Sequence, residues 1–189
     1  LEAWKAGKKV ESKLALYVEK TKISESGDYN LSGDRYRETK DYTNAKWPMV
    51  ELGDVCQINP KKEEVKDLPP GINVSFVPMA DLSMDSMSFV AKETKSLANV
   101  SGGYTYFNNS DVLLAKVTPC FENGKAGLAR NLVNNVGFGS SEFIVLRATD
   151  NILPELIYYY ISTEQFRREG KLLMTGTGGL QRIPLSFVK

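Results

Sequence analysis

Two short apolar runs, separated by a polar stretch, constrain the fold more than any other feature of the sequence. Residues 112–115 read Val-Leu-Leu-Ala and, together with Val117, form a run that Pro119 stops; residues 143–146, Phe-Ile-Val-Leu, form the second. Apolar runs of this length that are bounded by turn-forming residues are typical of buried strands. The sequence therefore predicts two strands in the core of a sheet.

The stretch between these strands is polar and rich in glycine. Because such residues cannot build a core, we expect them on loops at the rim of the sheet. They are Asn123, Gly124, Lys125, Arg130, Asn131, Asn134, Asn135, Gly137, Gly139, Ser140 and Ser141. Loops of this kind form recognition surfaces more often than catalytic ones.

Length and charge limit the possible classes of protein. With 189 residues, 42% of them hydrophobic, the chain can bury one substantial core and carry an appended segment. The formal net charge of +1 favours neither nucleic acid nor a membrane surface as a partner, so a DNA-binding role would depend on local patches. No apolar run is long enough to span a bilayer and no leader-like start is present, which predicts a soluble protein of the cytoplasm.

The chain contains no histidine, which excludes several kinds of site within it. Ser-His-Asp and Cys-His catalysis, HExxH metal sites and histidine general bases all require that side chain. Cys56 and Cys120 are far apart and neither belongs to a CxxC pair, so a structural zinc site and a disulfide are not expected. We interpret both as free thiols.

The N-terminal part of the chain is predicted to be an appendage. Apolar residues recur at three- and four-residue steps from Ala3 to Tyr17, which predicts an amphipathic helix from about residue 2 to residue 20. Its lysine-rich face suits either solvent or DNA. The segment 23–37 is polar and broken by glycines, and Trp47-Pro48 favours an extended domain entry. We therefore divide the chain into residues 1–46 and 47–189.

Further elements follow in the second part. Residues 61–70 are predicted to form a loop, residues 73–79 a strand, and residues 81–88 a segment outside the sheet. Pro154 suits the first turn of a helix and Gly170 suits the C-terminal cap of the same helix.

Tyr104 and Phe107 lie in a segment rich in turn formers, and their rings leave two interpretations. They could stack on an extruded base, but aromatic residues beside glycine pairs more often pack in a core. We expect packing.

Two catalytic motifs bear on whether the chain is an enzyme. Adenine methyltransferases hold the flipped base with Asn/Asp-Pro-Pro-aromatic, whereas Asn59-Pro60 is followed by Lys61. Metal-dependent nucleases place an Asp upstream of Glu-x-Lys, and Asp81 with Glu93-Thr94-Lys95 matches that spacing only loosely. Such matches arise by chance in a chain with 23 acidic and 24 basic residues, so no catalytic activity is expected.

The ordered motifs from about Trp47 to Lys189 resemble one family. WPMVELGDV is followed by DVLLAKVTP, GKAGLA, GFGSSEFIVLR, a tyrosine-rich helix and MTGTGGLQRIPL. This order resembles the target recognition domain of type I restriction-modification specificity subunits, where the last motif precedes a long spacer helix. Upstream, DYNLSGDRY resembles the tail of N6-adenine methyltransferase modification subunits, which would imply a fused parent chain; a solvated linker is the other interpretation.

The expected fold is α+β, with a twisted, mostly antiparallel sheet, flanking helices, long polar recognition loops and the N-terminal amphipathic helix that the periodicity predicts. The resemblance implies a non-catalytic, sequence-specific DNA-binding domain that directs a methyltransferase and endonuclease complex to a target half-site. The implied partners are double-stranded DNA, an N6-adenine methyltransferase subunit or fused region, and a restriction subunit. S-adenosylmethionine would bind the methyltransferase, with no cofactor in this chain. A fragment of a metal-dependent DNA-processing enzyme and a protein-binding adaptor without DNA specificity are the alternatives.

Side chains with paired donors or acceptors suit base edges: Arg and Lys suit guanine N7 and O6, and Asn and Gln suit adenine N6 and N7. The predicted base-reading residues are Lys116, Asn123, Lys125, Arg130, Ser140, Ser141, Gln181 and Arg182. Thr177, Gly178 and Gly179 are predicted to contact phosphate, with a flexible hinge as the alternative. We also expect Lys125, Arg130 and Arg182 to face the same way and form a local positive face.

Overall fold

The computed structural model describes residues 5, 7, 17–25, 27, 29, 31, 33–36, 46, 49–177 and 179–189. The chain divides into two units, Leu1–Met49 and Val50–Lys189. In the first unit, a short helix, α1, covers Lys20–Ser24, and a 3-10 turn covers Gly33–Tyr36. Most of the predicted helix 2–20 and the predicted boundary at Trp47-Pro48 lie outside the described residues. Residues 17–19 are not helical, so the predicted helix does not reach residue 20.

The second unit is built from ten strands and four α-helices among its described residues. The strands are β1 Cys56–Ile58, β2 Asn73–Val77, β3 Glu93–Ser96, β4 Thr105–Asn108, β5 Val112–Ala115, β6 Ala126–Leu128, β7 Val136–Gly139, β8 Phe143–Ala148, β9 Thr175–Thr177 and β10 Leu180–Arg182. The helices are α2 Leu52–Val55, α3 Leu97–Val100, α4 Pro154–Ile161 and α5 Glu164–Leu172. Short 3-10 turns at Lys62–Val65, Met79–Asp81, Val133–Asn135 and Leu185–Val188 complete it.

The first sheet has the order β1-β8-β5-β6 and is antiparallel throughout. Its centre consists of the two strands that the apolar runs predict, paired from Val112 opposite Leu146 to Ala115 opposite Phe143. Both strands are confirmed. Both faces of the sheet are covered at these two strands, so no side chain of either run faces solvent. The runs are therefore apolar throughout and do not alternate with polar residues.

The second sheet has the order β3-β2-β7-β4, with β2 and β7 parallel and the other pairs antiparallel. The predicted strand at 73–79 is confirmed as β2, and no strand crosses residues 81–88. The α+β class and the mostly antiparallel pairing are therefore confirmed. The expectation of one sheet is wrong, because the second unit contains two four-stranded sheets and a separate β9-β10 hairpin.

Packing follows the two faces of β5. Val112 and Leu114 belong to a cluster with Ile157 and Ile161 of α4. Leu113 belongs to a second cluster that includes Val77 of β2 and Phe107 of β4, which joins the two sheets. A third cluster, built on β2, β4 and β7 together with α3, contains Val74, Tyr106, Phe138 and Val100. Phe107 is fully buried, so the packing interpretation is right for this ring, whereas Tyr104 is 37% exposed and packs edge-on against Phe76.

Two glycines that were expected on rim loops are buried strand residues instead. Gly137 and Gly139 lie in β7, where a side chain would have no room. A Cβ atom on Gly137 would lie 2.2 Å from the Phe107 ring, and one on Gly139 would lie 2.4 Å from the Val77 carbonyl oxygen. Because glycine has no side chain, aromatic rings and neighbouring backbone can approach β7 closely. These two glycines are therefore required for packing and do not mark a loop.

The predicted helix from Pro154 to Gly170 is in fact two helices. α4 ends at Ile161, and the side-chain oxygen of Thr163 accepts a hydrogen bond from the Phe166 amide at 3.2 Å, which caps the start of α5. Gly170 is not a cap; it is buried inside α5, where a Cβ atom would lie 2.3 Å from Phe121. Among the described residues, no helix is both long enough and apolar enough to cross a lipid bilayer.

Candidate functional site

The antiparallel pairing of β5 with β8 brings the end of β5 beside the start of β8. Just beyond them, the Lys116 amide donates to the Glu142 carbonyl at 2.9 Å. Ser140 and Ser141 lie in the tight turn before β8, and Arg182 at the end of β10 reaches the same place. We call Lys116, Ser140, Ser141, Glu142 and Arg182 the Glu142 rim.

Glu142 is the centre of the rim. Arg182 Nε donates to Glu142 Oε2 at 2.9 Å and Arg182 Nη2 donates to Oε1 at 2.6 Å. Lys116 Nζ lies 3.9 Å from Oε2 and donates to the Ser141 carbonyl at 2.9 Å. Hydrogen bonds from Arg182 lower the pKa of Glu142, and the same contact raises the pKa of Arg182. Both groups are therefore charged at neutral pH, on side chains that are 25% and 41% exposed.

The β9-β10 hairpin joins the rim through main-chain pairing. Arg182 forms a bridge with Val117, the Thr118 amide donates to the Gln181 carbonyl at 2.9 Å, and the Ile183 amide donates to the Lys116 carbonyl at 3.0 Å. The Gln181 side chain is left exposed beside the rim. Predicted base-reading residues that are more than 60 positions apart in sequence are thereby brought together.

Thr177 and Gly179 flank the tip of this hairpin and are both exposed. Gly179 has a φ of +78° and Gly176 a φ of +134°, values that favour glycine and allow the tight reversal. Gly178 lies outside the described residues. The tip is accessible to a phosphate, and the predicted contact stays a prediction.

Asn123 and Lys125 lie near the rim, on the loop that leads into β6. The Ala115 amide donates to the Lys125 carbonyl at 3.0 Å, which places the Lys125 backbone next to the end of β5. Its Nζ donates to the Met79 carbonyl at 3.1 Å and is only partly exposed. Asn123 is exposed at a turn formed with Gly124, whose φ is +76°.

Arg130 does not join the other predicted residues. β6 runs between Lys125 and Arg130, so the two lie at opposite ends of that strand, roughly 16 Å apart for five extended residues. Arg130 Nη2 pairs with Glu155 Oε1 of α4 at 2.6 Å. The expected common face of Lys125, Arg130 and Arg182 is therefore wrong for Arg130, because β6 separates it from Lys125.

The far end of β5 carries an ion network that the sequence reasoning missed. Arg147 Nε and Nη2 donate to the two carboxylate oxygens of Asp111, each at 2.7 Å, and Nη1 donates to Glu64 Oε2 at 2.6 Å. The Tyr106 hydroxyl donates to the same Glu64 oxygen at 3.0 Å. Asp111 is only 1% exposed, so it needs this paired cation. An aspartate directly before a buried strand was the available signal.

These contacts shift the ionisation of the network in predictable directions. Burial and the hydrogen bond to Glu64 raise the pKa of Tyr106 to about 12. The hydrogen bonds to Asp111 raise the pKa of Arg147. Desolvation raises the pKa of Glu64, but the hydrogen bonds from Arg147 and Tyr106 outweigh this effect and hold the pKa below its usual value. Both carboxylates share the Arg147 guanidinium and each is hydrogen-bonded to it, which indicates a structural role.

An open groove of about 510 Å³ adjoins this network and is lined by residues 108–111 and 147–150 with Ile152 and Pro154. The residues of the loose nuclease match lie elsewhere and are paired: Asp81 with Lys92 and Glu93 with Lys95, each at 3.4 Å. In the part of the chain that the structure describes, no group of three or more His, Cys, Asp or Glu side chains is placed to hold a metal ion.

Comparison with known proteins gives one consistent result. No family model matches the chain. The chain is 37% identical over 142 residues to the specificity subunit of the type I restriction enzyme EcoEI of Escherichia coli, covering 75% of this chain and 23% of that protein. It is 34% identical over 142 residues to the EcoAI specificity subunit of Escherichia coli, covering 75% of this chain and 24% of that protein. The chain thus spans about a quarter of the length of these curated relatives.

The fold agrees with this result. The HsdS subunit of Thermoanaerobacter tengcongensis is similar to this chain in structure, with a TM-score of 0.54 and 17% identity, over 74% of this chain and 35% of that one. At that identity the likeness concerns the fold alone, and the sequence matches carry the relationship. With the ordered motifs from Trp47 onwards, these matches confirm the resemblance, and the chain belongs to the family of type I restriction enzyme specificity subunits, as a target recognition domain.

Proposed function

We propose that this chain is a sequence-specific DNA-binding domain that directs a restriction-modification complex to one half of its target. The observation that carries the proposal is the assembly of Lys116, Ser140, Ser141, Gln181 and Arg182 around one end of the first sheet. Membership of the specificity subunits supports it, since the relatives are components of type I restriction enzymes. Hydrogen-bond donors that are held on hydrogen-bonded backbone can read the edges of bases. Phosphate contacts alone carry no sequence information.

The side chains at this end suit direct readout. Arg182 has the geometry for guanine N7 and O6, and the exposed amide of Gln181 suits adenine N6 and N7. Lys116 and the hairpin tip at Thr177 and Gly179 are placed to add phosphate contacts that fix the register on the duplex. Asn123 and Lys125 extend the same side, whereas Arg130 is excluded from the proposed surface by its position.

The partners belong to the same proposal. The domain would act with an N6-adenine methyltransferase subunit or fused region, which binds S-adenosylmethionine, and with a restriction subunit, in the cytoplasm where the DNA is accessible. This chain would supply target choice and no chemistry. The name of its relatives, specificity subunits, agrees with that division of labour.

The test uses the full specificity chain assembled with its methyltransferase. Selection from a randomised duplex library identifies a preferred sequence, and fluorescence anisotropy at a fixed salt concentration then compares it with a scrambled duplex. We expect Gln181→Ala and Arg182→Ala each to cost about 1 to 3 kcal/mol on the selected duplex and to relax discrimination at one position. Arg130→Ala, at the other end of the sheet, is the matched control and should bind like the parent. Selection of no sequence by the complex would reject the proposal.

A further inference from the structure

We infer that Glu142 is a positioning residue that sets the DNA specificity of the rim by fixing Arg182 for guanine and by suppressing binding to phosphate. The inference rests on the proposed function and deepens it. A carboxylate is unexpected at this surface, because protein surfaces that bind DNA contact its phosphates mainly through positively charged side chains. Glu142 has two basic partners, Lys116 and Arg182, and each reaches it from a different segment of the chain.

The geometry of the pair leaves one edge of the guanidinium available. Glu142 accepts from Nε and Nη2, which form the side-on edge of Arg182. Nη1 has no partner among the described residues, so Nη1 and the second hydrogen of Nη2 form a free end-on edge on a side chain that is 41% exposed. Two parallel donors of this kind match the O6 and N7 acceptors of guanine. A carboxylate that holds the side-on edge thus presents the other edge to a base.

Both partners are mounted on paired backbone. The Glu142 amide donates to Ser140 Oγ at 3.2 Å, and the Glu142 carbonyl accepts from the Lys116 amide. Arg182 is fixed opposite Val117 by the bridge. A side chain whose rotamer is held before binding loses less conformational entropy on contact with its base, so the pairing favours the correct partner.

The charges have a second effect. The charges of Lys116, Arg182 and Glu142 sum to +1, whereas the two cations alone would give a charge of +2. Non-specific DNA binding depends on neutralising phosphates, and its strength and salt dependence rise with the number of available cations. Glu142 therefore weakens attachment to any duplex while it preserves the contact that depends on sequence.

The test measures DNA binding by the assembled specificity and methyltransferase complex carrying Glu142→Gln. We expect tighter binding to a scrambled duplex, a plot of log Kobs against log salt that is steeper by about 0.9, and a loss of discrimination for the selected duplex of about 5- to 150-fold. Glu155→Gln is the control, because it removes the carboxylate of a similar pair with Arg130 at the other end of the sheet. That variant should change neither quantity. Equal melting temperatures would show that both variants are folded.

Modified bases locate the contact. In the selected duplex, 7-deazaguanine replaces each guanine in turn, which removes N7. We expect one position at which this replacement weakens binding of the parent complex but not of Arg182→Ala, and at which Glu142→Gln reduces the effect. If the parent discriminates and Glu142→Gln keeps the same salt slope and discrimination, the inference is overturned while the proposed function stands. If the parent selects no sequence, both fail.

Discussion

The surroundings of Tyr106 strongly disfavour ionisation of its hydroxyl group. It is 2% exposed and donates to a carboxylate, so an ionised phenolate would be both desolvated and next to a negative charge. Its pKa is about 12 in the folded protein against about 10 in an unfolded chain. The contribution to stability is therefore complete below about pH 10 and is lost as pH rises towards 12.

We predict that replacing Tyr106 with Phe flattens the alkaline side of the stability profile. Between about pH 10 and pH 12, the free energy of unfolding of the parent should fall by about 2 kcal/mol more than that of Tyr106→Phe. Urea denaturation of both proteins at several pH values measures this difference in the free energy of unfolding. The thiol of Cys56, with a pKa raised to about 11 by burial, also titrates here but is present in both proteins. Tyr104→Phe, at the half-exposed ring, is the control and should keep the parent slope. Parallel profiles for Tyr106→Phe and the parent would contradict this assignment.

At the scale of elements, the break between α4 and α5 depends on one side chain. Thr163 Oγ1 accepts from the Phe166 amide and donates to the Tyr160 carbonyl at 2.8 Å, so it satisfies groups at both helix ends. Thr163→Ala should lower the free energy of unfolding by about 1 kcal/mol. Thr163→Ser keeps the hydroxyl and should lose only a few tenths of that amount. Thermal or urea denaturation would decide, and equal losses for Ala and Ser would show that the cap contributes nothing.

Strands with both faces covered were predictable, whereas elements that depend on close approach were not. β5 and residues 143–146 of β8 are apolar at every position because helices cover one face and the second sheet covers the other. β7 was missed because its two glycines resemble a loop until Phe107 and Phe143 are placed against them. The helix break was missed for a similar reason: a threonine cap in the middle of a continuous helical pattern has no clear periodic signal.

The site was only partly predictable for the same physical reason. The resemblance placed Lys116, the two serines and Arg182 in one family pattern, yet the pairing of Val117 with Arg182 depends on the fold. Glu142 was overlooked because a search for DNA contacts looks for donors and cations. Its importance follows from its partners, which only the folded chain brings within hydrogen-bonding distance.

At the scale of the whole second unit, the Arg147 network connects the two sheets. Arg147 lies on β8 and Asp111 directly precedes β5, while Glu64 links the same guanidinium to Tyr106 of β4 in the other sheet. Arg147→Met would leave the buried Asp111 carboxylate without its cation. We predict a loss of about 3 kcal/mol in the free energy of unfolding.

Urea denaturation measures this loss, with an unchanged m-value expected if only stability changes. Arg130→Met breaks an exposed pair with Glu155 and should cost less than about 1 kcal/mol. Adding Asp111→Asn to Arg147→Met should restore part of the stability, because the unpaired charge is then removed. Equal effects of the Arg147 and Arg130 changes would show that the network contributes no more than a surface pair.

The pairing of the β9-β10 hairpin with residues 116–118 has a consequence for protein engineering. Main-chain hydrogen bonds tie Lys116 to Ile183 and Thr118 to Gln181, so the two segments form one structural unit although they are distant in sequence. A graft that transferred only one of them to another scaffold would leave its amides and carbonyls without partners. Recoding the proposed DNA target of this domain therefore calls for exchanging both segments together, as a single cassette.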